Sequence, residues 1–140
     1  IKQVNPDFII THDPNDYMPD HTAVSRLAFD ASFTATLPNY HTQVEGAAKM
    51  VPIYYMDTLA GVNFNPTEYV DVTDFMDRKV QMLQSHESQI VWLMDHDNVD
   101  LVENSKVDCR FRGMQCGVQY AEGFRQCMVD LKVVPKRLIT

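Results

Sequence analysis

The sequence predicts an α/β domain, and three observations carry that expectation. A short apolar run, Pro6 to His12, is followed by a turn rich in Asp and Asn, and then by a helical pattern. Further apolar runs alternate with helical stretches, the ordering that builds strand-and-helix layers. The chain has 140 residues, with 45% hydrophobic and 22% charged. That is enough for one domain with a real core and the mixture of an ordinary globular protein.

The elements follow in order. Pro6-Asp-Phe-Ile-Ile-Thr-His12 is nearly continuous in apolar residues, as in a strand buried on both faces of a parallel sheet. Asp13-Pro-Asn-Asp16 is a turn. Pro19 and Asp20 open a helix, with Asp20 placed as its cap and Val24, Leu27, Ala28 and Ala31 as its apolar face; it ends before Pro38. Residues 38–50 read as a loop, and Val51 to Met56 as a second strand. Asn63 to Pro66 is a turn, and Glu68 to Val72 a third, shorter strand. A helix then starts near Thr73 or Asp74, striped by Val72, Met76, Val80 and Leu83. Another helical segment covers Ser88 to Met94, broken by the polar run Asp95 to Asn98. A longer helix runs from Val99 to Met114, with Gly117 available to close it or to begin the next turn, and the stretch from Gln119 to Met128 is extended. Two or three strands make a poor sheet alone, and the first reads as a central one. The expectation is therefore a single partial domain, residues 1–140, forming the C-terminal part of a larger fold.

Composition narrows the partners. The net charge of −7 disfavours nucleic acid, and the one basic pair, Lys136-Arg137, reads as a solvated tail. No run approaches the roughly 20 apolar residues of a membrane span. Three cysteines without a Cys-x-x-Cys pair argue against a disulfide framework or a cysteine zinc finger. Cys109 and Cys116, seven apart, read as buried residues on one helix face. These features favour a reducing compartment, with the cytoplasm as the expected location.

The chemistry concentrates between His12 and His21. In open α/β sheets ligands bind at the carboxyl ends of strands, and this segment sits at such an end. It holds His12, Asp13, Asp16, Tyr17, Asp20 and His21, residue types that suit zinc with an open position for water. The same acids also serve as turn formers, and Asp20 makes sense purely as a cap. His21, in the first turn of a helix just after a strand, points its ring back towards the strand end.

Pro6 to His12 followed by Asn15-Asp-Tyr-Met-Pro-Asp-His21 resembles the second block of the LmbE/PIG-L family of deacetylases. Tyr54-Tyr55, Tyr69-Val-Asp71, Lys79, Leu83 and Ser85 to Gln89 are similar to that family's middle section. Arg112-Gly113, Gly117 and Tyr120 to Phe124 are similar to its closing section. The resemblance implies a Rossmann-like three-layer sandwich with a mostly parallel sheet, and a zinc-dependent hydrolase removing acetyl from an N-acetylated sugar or glycoconjugate. Two zinc ligands and the general base come from an N-terminal Ala-His-Pro-Asp-Asp-Glu block, which this chain does not contain. The N-terminal part of the same fold is thus an expected partner, and a further copy of the chain is another, since such families often assemble.

His21 matches the third zinc ligand. Asp20, His12 and Tyr17 are the candidate catalytic groups. Asp16, Met18, Arg112 and Glu122 are candidates for substrate binding, with Arg112 and Glu122 also able to pair with each other. Many members carry a His where this chain has Met18, and that His helps hold the oxyanion; losing such a donor costs roughly a hundredfold in rate. The alternative reading is the same fold without catalysis, holding a sugar or a metal. Lys79 and His86 are expected on one helix, Trp92 in a core, and His41 and His96 facing solvent.

Overall fold

The structure, a computed structural model, describes residues 1–130 and 132–133. The basic pair Lys136-Arg137 lies outside the described residues. The α/β class holds. Four strands, β1 (Ile9–His12), β2 (Ile53–Met56), β3 (Glu68–Asp71) and β4 (Ala121–Gln126), form a sheet of order β1-β2-β4-β3. The sheet is mixed: β1 and β2 run parallel, whereas β2 and β4 run antiparallel. Contacts gather into two compact units. One holds Ile1–Thr58, Asn63–Thr67 and the described residues from Phe124 onward; the other holds Leu59–Val62 and Glu68–Gly123.

In the first unit, β1 pairs with β2 from Ile9 opposite Ile53 to His12 opposite Met56. Parallel neighbours need a crossover, and helix α1 (Pro19–Thr34) supplies it, packing on β1. Ile53, Tyr55, Phe64 and Cys127 form the core, with Ile9 and Phe29 packed against it. β1 was expected to be buried on both faces and is not. Thr11 is 3% exposed, but Ile10 is 48% exposed, because α1 covers only one face of the strand.

The helix also turns a different side inward. Val24 and Leu27 are exposed, while Ser25 and Ser32 are buried and Phe29 meets the core. Positions 25, 29 and 32 are the true inward stripe, spaced four and three apart. The Ser32 hydroxyl donates to the Phe29 carbonyl and receives the Lys132 ammonium, which satisfies a polar group that an apolar-periodicity argument passes over. Asp20 does not cap the helix. It lies inside the first turn and is exposed, and Met18 holds the cap position without a side-chain cap bond of its own.

In the second unit, β3 is followed by a 3₁₀ turn (Thr73–Phe75) and three helices, α2 (Met76–Gln84), α3 (Glu87–Asp97) and α4 (Leu101–Cys116), that pack pairwise. The Met76 side of α2 is inward, as the stripe predicts. α3 continues through Asp95 to Asp97 and stops at Asn98, whose φ of 54° is left-handed. Asp100 caps α4 by accepting from the Glu103 N–H at 2.9 Å. Gly117, at φ 80°, closes it, so that Gly117 and Val118 both donate to the Gly113 carbonyl. The extended stretch after it becomes β4.

Besides the expected break of α3 at Asp95, three expectations fail in this unit. Lys79 and His86 do not share a helix, since α2 ends at Gln84 and His86 is the cap residue before α3. Trp92 is 52% exposed rather than core, because Ile90 and Leu93 take the less exposed side of α3 and leave it stacked on His96 at the surface. Cys109 is buried as expected, but Cys116, the last residue of α4, is exposed. Among the described residues no helix is long and apolar enough to cross a membrane.

Candidate metal centre

The segment after β1 folds back on itself through its own carboxylates. Asp13, 1% exposed, accepts from the Asn15 N–H at 2.8 Å through Oδ1, and its carbonyl accepts from the Asp16 N–H at 3.1 Å. Asp16 in turn accepts from the Met18 N–H at 3.0 Å. The carboxylate two residues before the cap position thus takes a backbone donor at the entry of α1, the work expected of Asp20. Its other oxygen lies 2.8 Å from His21 Nδ1.

His21 is the third residue of α1, and helical side chains lean towards the N-terminus, which brings its ring to Asp16 and to the end of β1. There it stacks on His12, with ring centroids 3.8 Å apart and planes 16° from parallel. Among the described residues, His12, Asp16 and His21 form a group whose ligand atoms all lie within 4.8 Å of one another, close enough to hold one metal ion. Imidazole and carboxylate donors suit zinc and related divalent ions. An Asp16 that accepts Nδ1–H serves as the orienting partner of the ring rather than as a direct ligand: it fixes the His21 tautomer and leaves Nε2 free to bind, the usual arrangement behind a metal-bound histidine.

Electrostatics agree with that use. Burial and the neighbouring His21 charge both hold the His12 pKa below its ordinary value, against a weaker pull from Asp16 and Asp20, so its ring favours the neutral, ligating form. Burial pushes the Asp16 carboxyl up, but the bonds from His21 and the Met18 N–H, with the His21 charge, outweigh it and leave the carboxyl below its usual range.

The other candidates divide. Tyr17 is 58% exposed, Asp20 is exposed and Met18 is half-buried, all beside the cluster in sequence. Arg112 and Glu122 belong to the second unit. Arg112 is buried and donates to Gln115 Oε1 at 3.0 Å. Glu122 is taken by Lys79 Nζ at 2.5 Å, and Lys79 also reaches Cys109 Sγ at 3.4 Å. Burial lowers the Lys79 pKa, but the bond and charge of Glu122 more than restore it, and the ammonium is held charged. Sequence reasoning missed Arg125, whose guanidinium pairs with Asp13 from 112 residues away. An arginine in an extended segment gives no sign of its partner.

No protein-family profile matches the chain. The diacetylchitobiose deacetylase of Thermococcus kodakarensis is 26% identical over 137 residues, covering 89% of this chain and 46% of that protein. The solved N,N'-diacetylchitobiose deacetylase of Pyrococcus horikoshii superposes with a TM-score of 0.69 at 25% identity, over 90% of this chain and 47% of that one. The resemblance to the LmbE/PIG-L deacetylases is borne out. A conserved protein of Thermus thermophilus superposes with a TM-score of 0.76 at 26% identity, over 99% of this chain and 58% of its own. The chain spans about half the length of the curated relative it matches. The 4-carboxy-2-hydroxymuconate hydratase of Pseudomonas putida, at 21% identity and a TM-score of 0.67, shares the fold over 99% of this chain and 57% of its own. The fold alone therefore does not choose the reaction.

Proposed function

We propose that this chain carries part of the active site of a zinc-dependent deacetylase acting on an N-acetylated sugar of the N-acetylglucosamine type. The observation that supports it most is the His12–Asp16–His21 cluster at the end of β1, in a chain similar to diacetylchitobiose deacetylases. His21 would hold the ion through Nε2, with Asp16 orienting it. Further ligands and the general base would come from an N-terminal part of the same fold, which would also supply the additional parallel strands of a Rossmann-like sandwich. When bound, zinc supplies Lewis acidity towards the acetamide carbonyl and towards water.

This chain's own residues divide the remaining work. Asp20, exposed in the first turn, is our candidate for delivering a proton to the leaving amine. Met18 cannot donate to a developing oxyanion; Tyr17 is our candidate for that task, with His12 as the alternative where its ring does not ligate the metal. Arg112 and Glu122, engaged with Gln115 and Lys79, fit a structural role better than direct substrate contact. Three free cysteines support a reducing compartment.

The test is release of acetate from N-acetylglucosamine and its short β-linked oligomers by the metal-loaded protein. Release abolished by chelation and restored by zinc is the expected result. Met18 favours one second reading, a binder without turnover. Sugar or zinc binding with no acetate release from any of these substrates would establish that reading instead.

A further inference from the structure

Asp13 presents a problem that the metal centre does not explain. It is 1% exposed, and a buried carboxylate needs compensation. Backbone donors supply part of it: Asn15 N–H reaches Oδ1. The charge itself is met by Arg125, whose Nη2 donates to Oδ2. Arg125 sits on β4 opposite Tyr55 of β2, and its guanidinium lies over the Tyr55 ring at 5.7 Å and the Phe64 ring at 5.8 Å. Cation–π contact on two rings fixes where the guanidinium can be. The sheet and its core thereby hold Arg125, and Arg125 holds the first residue of the metal loop.

We infer that Arg125 is a positioning residue for the metal-binding loop, acting through Asp13 on the turn that carries Asp16 and so on the aim of His21. The inference rests on the metal reading of the His12–Asp16–His21 cluster and adds to it a support from the far end of the chain. The path is short and continuous: Arg125 to the Asp13 carboxylate, the Asp13 carbonyl to the Asp16 N–H at 3.1 Å, and the Asp16 carboxylate to His21 Nδ1 at 2.8 Å. Without Arg125, Asp13 must find water or rearrange. Either response disturbs the turn at Asn15 and Asp16 without removing any ligand side chain.

The experiment uses the whole protein in which this chain occurs, with Arg125→Met and Arg125→Lys. Two readouts are taken: zinc affinity by competition with a chromophoric chelator, and backbone amide hydrogen exchange of the metal-free protein. Removing outer partners of metal ligands typically weakens affinity about 10- to 100-fold. Arg125→Met should bind zinc roughly tenfold more weakly, and Arg125→Lys, which keeps the charge but not the planar group over Tyr55 and Phe64, should recover only part of that loss. In the metal-free protein, the Asn15, Asp16 and Met18 amides should exchange faster in Arg125→Met while those of α4 are unchanged. A uniform rise in exchange would show general loosening and overturn the inference. So would zinc affinity within twofold of the parent. Should Arg125→Met fail to fold, the pair Arg125→Met/Asp13→Asn removes the buried charge with its partner, and the same two readouts apply. If the parent protein binds no zinc, the metal reading fails, and faster exchange confined to residues 15–18 still shows Arg125 holding the loop.

Discussion

Replacing Asp16 with asparagine separates the two tasks of its carboxylate. One oxygen accepts from the Met18 N–H at 3.0 Å and steadies the entry of α1; the other faces His21 Nδ1 at 2.8 Å. An asparagine keeps a carbonyl for Met18 and puts an amide NH₂, a donor, against His21. His21 must then present Nδ1 as an acceptor, so that Nε2 carries the proton and cannot ligate, or the ring must turn away. The helix entry survives, and the metal site is what suffers. Loss of an outer-shell partner of this kind weakens metal affinity about 10- to 100-fold, or about 1.4–2.8 kcal/mol. Asp16→Ala removes both tasks and costs the metal-free fold about 1 kcal/mol more, the usual value of a capping acceptor. The assays are zinc competition titration for the first number and urea unfolding with chelator present for the second. A folded Asp16→Asn protein with parental zinc affinity would refute the reasoning.

Four further outcomes follow from the structure. In metal-free protein, His12 titrates in the fold below its ordinary 6.5, so the unfolded chain holds a proton that the folded chain refuses; stability should fall as pH drops through 6.5 and level off below the folded value, and His12→Gln should flatten that limb of a melting-temperature profile. Asp16, lowered from 3.8, contributes stability that is full above that value and lost as pH falls below it, a separate and more acidic limb that Asp16→Asn should remove. A Cβ at Gly113 would stand 2.6 Å from the Val118 carbonyl oxygen and 2.8 Å from that of Gln119, both backbone atoms that cannot swing aside. The overpacking cost of about 1–3 kcal/mol should outweigh the helix-propensity gain of about 1 kcal/mol, lowering Tm by a few degrees in calorimetry; an unchanged or higher Tm would contradict it. Lys79→Met leaves the half-buried Glu122 without its cation and should destabilise by roughly 1–3 kcal/mol in urea, between an exposed and a fully buried pair, whereas Lys79→Met/Glu122→Leu should recover part of that loss.

What the sequence displayed was local. The β1–turn–α1 segment was legible because Pro, Asp and Asn mark turns by their own chemistry, and because His21 falls in a first turn whose direction is fixed by helix geometry. The closing of α4 at Gly117 was legible for a similar reason. The inward side of α1 was not, since Ser25 and Ser32 are polar by name and are buried through partners, Lys132 among them, that lie far along the chain. Asp20 looked like the cap because it follows Pro19; the carboxylate that serves is Asp16, reached only by the fold of the turn. Trp92 looked like core because it lies on an apolar helical segment, but that helix turns Ile90 and Leu93 to the less exposed side. The mixed sheet depended on β4, whose extended residues carried no sign of running antiparallel to β2. Arg125 and Asp13 meet across 112 residues, a contact that no local pattern encodes.

The central claim is that His21 is a metal ligand. Zinc content per chain, measured by atomic emission on the purified whole protein and on His21→Ala after dialysis against trace chelator, tests it most directly. The account predicts about one zinc per chain in the parent and its loss in the folded variant. Equal zinc in the two proteins, or none in either, would contradict it.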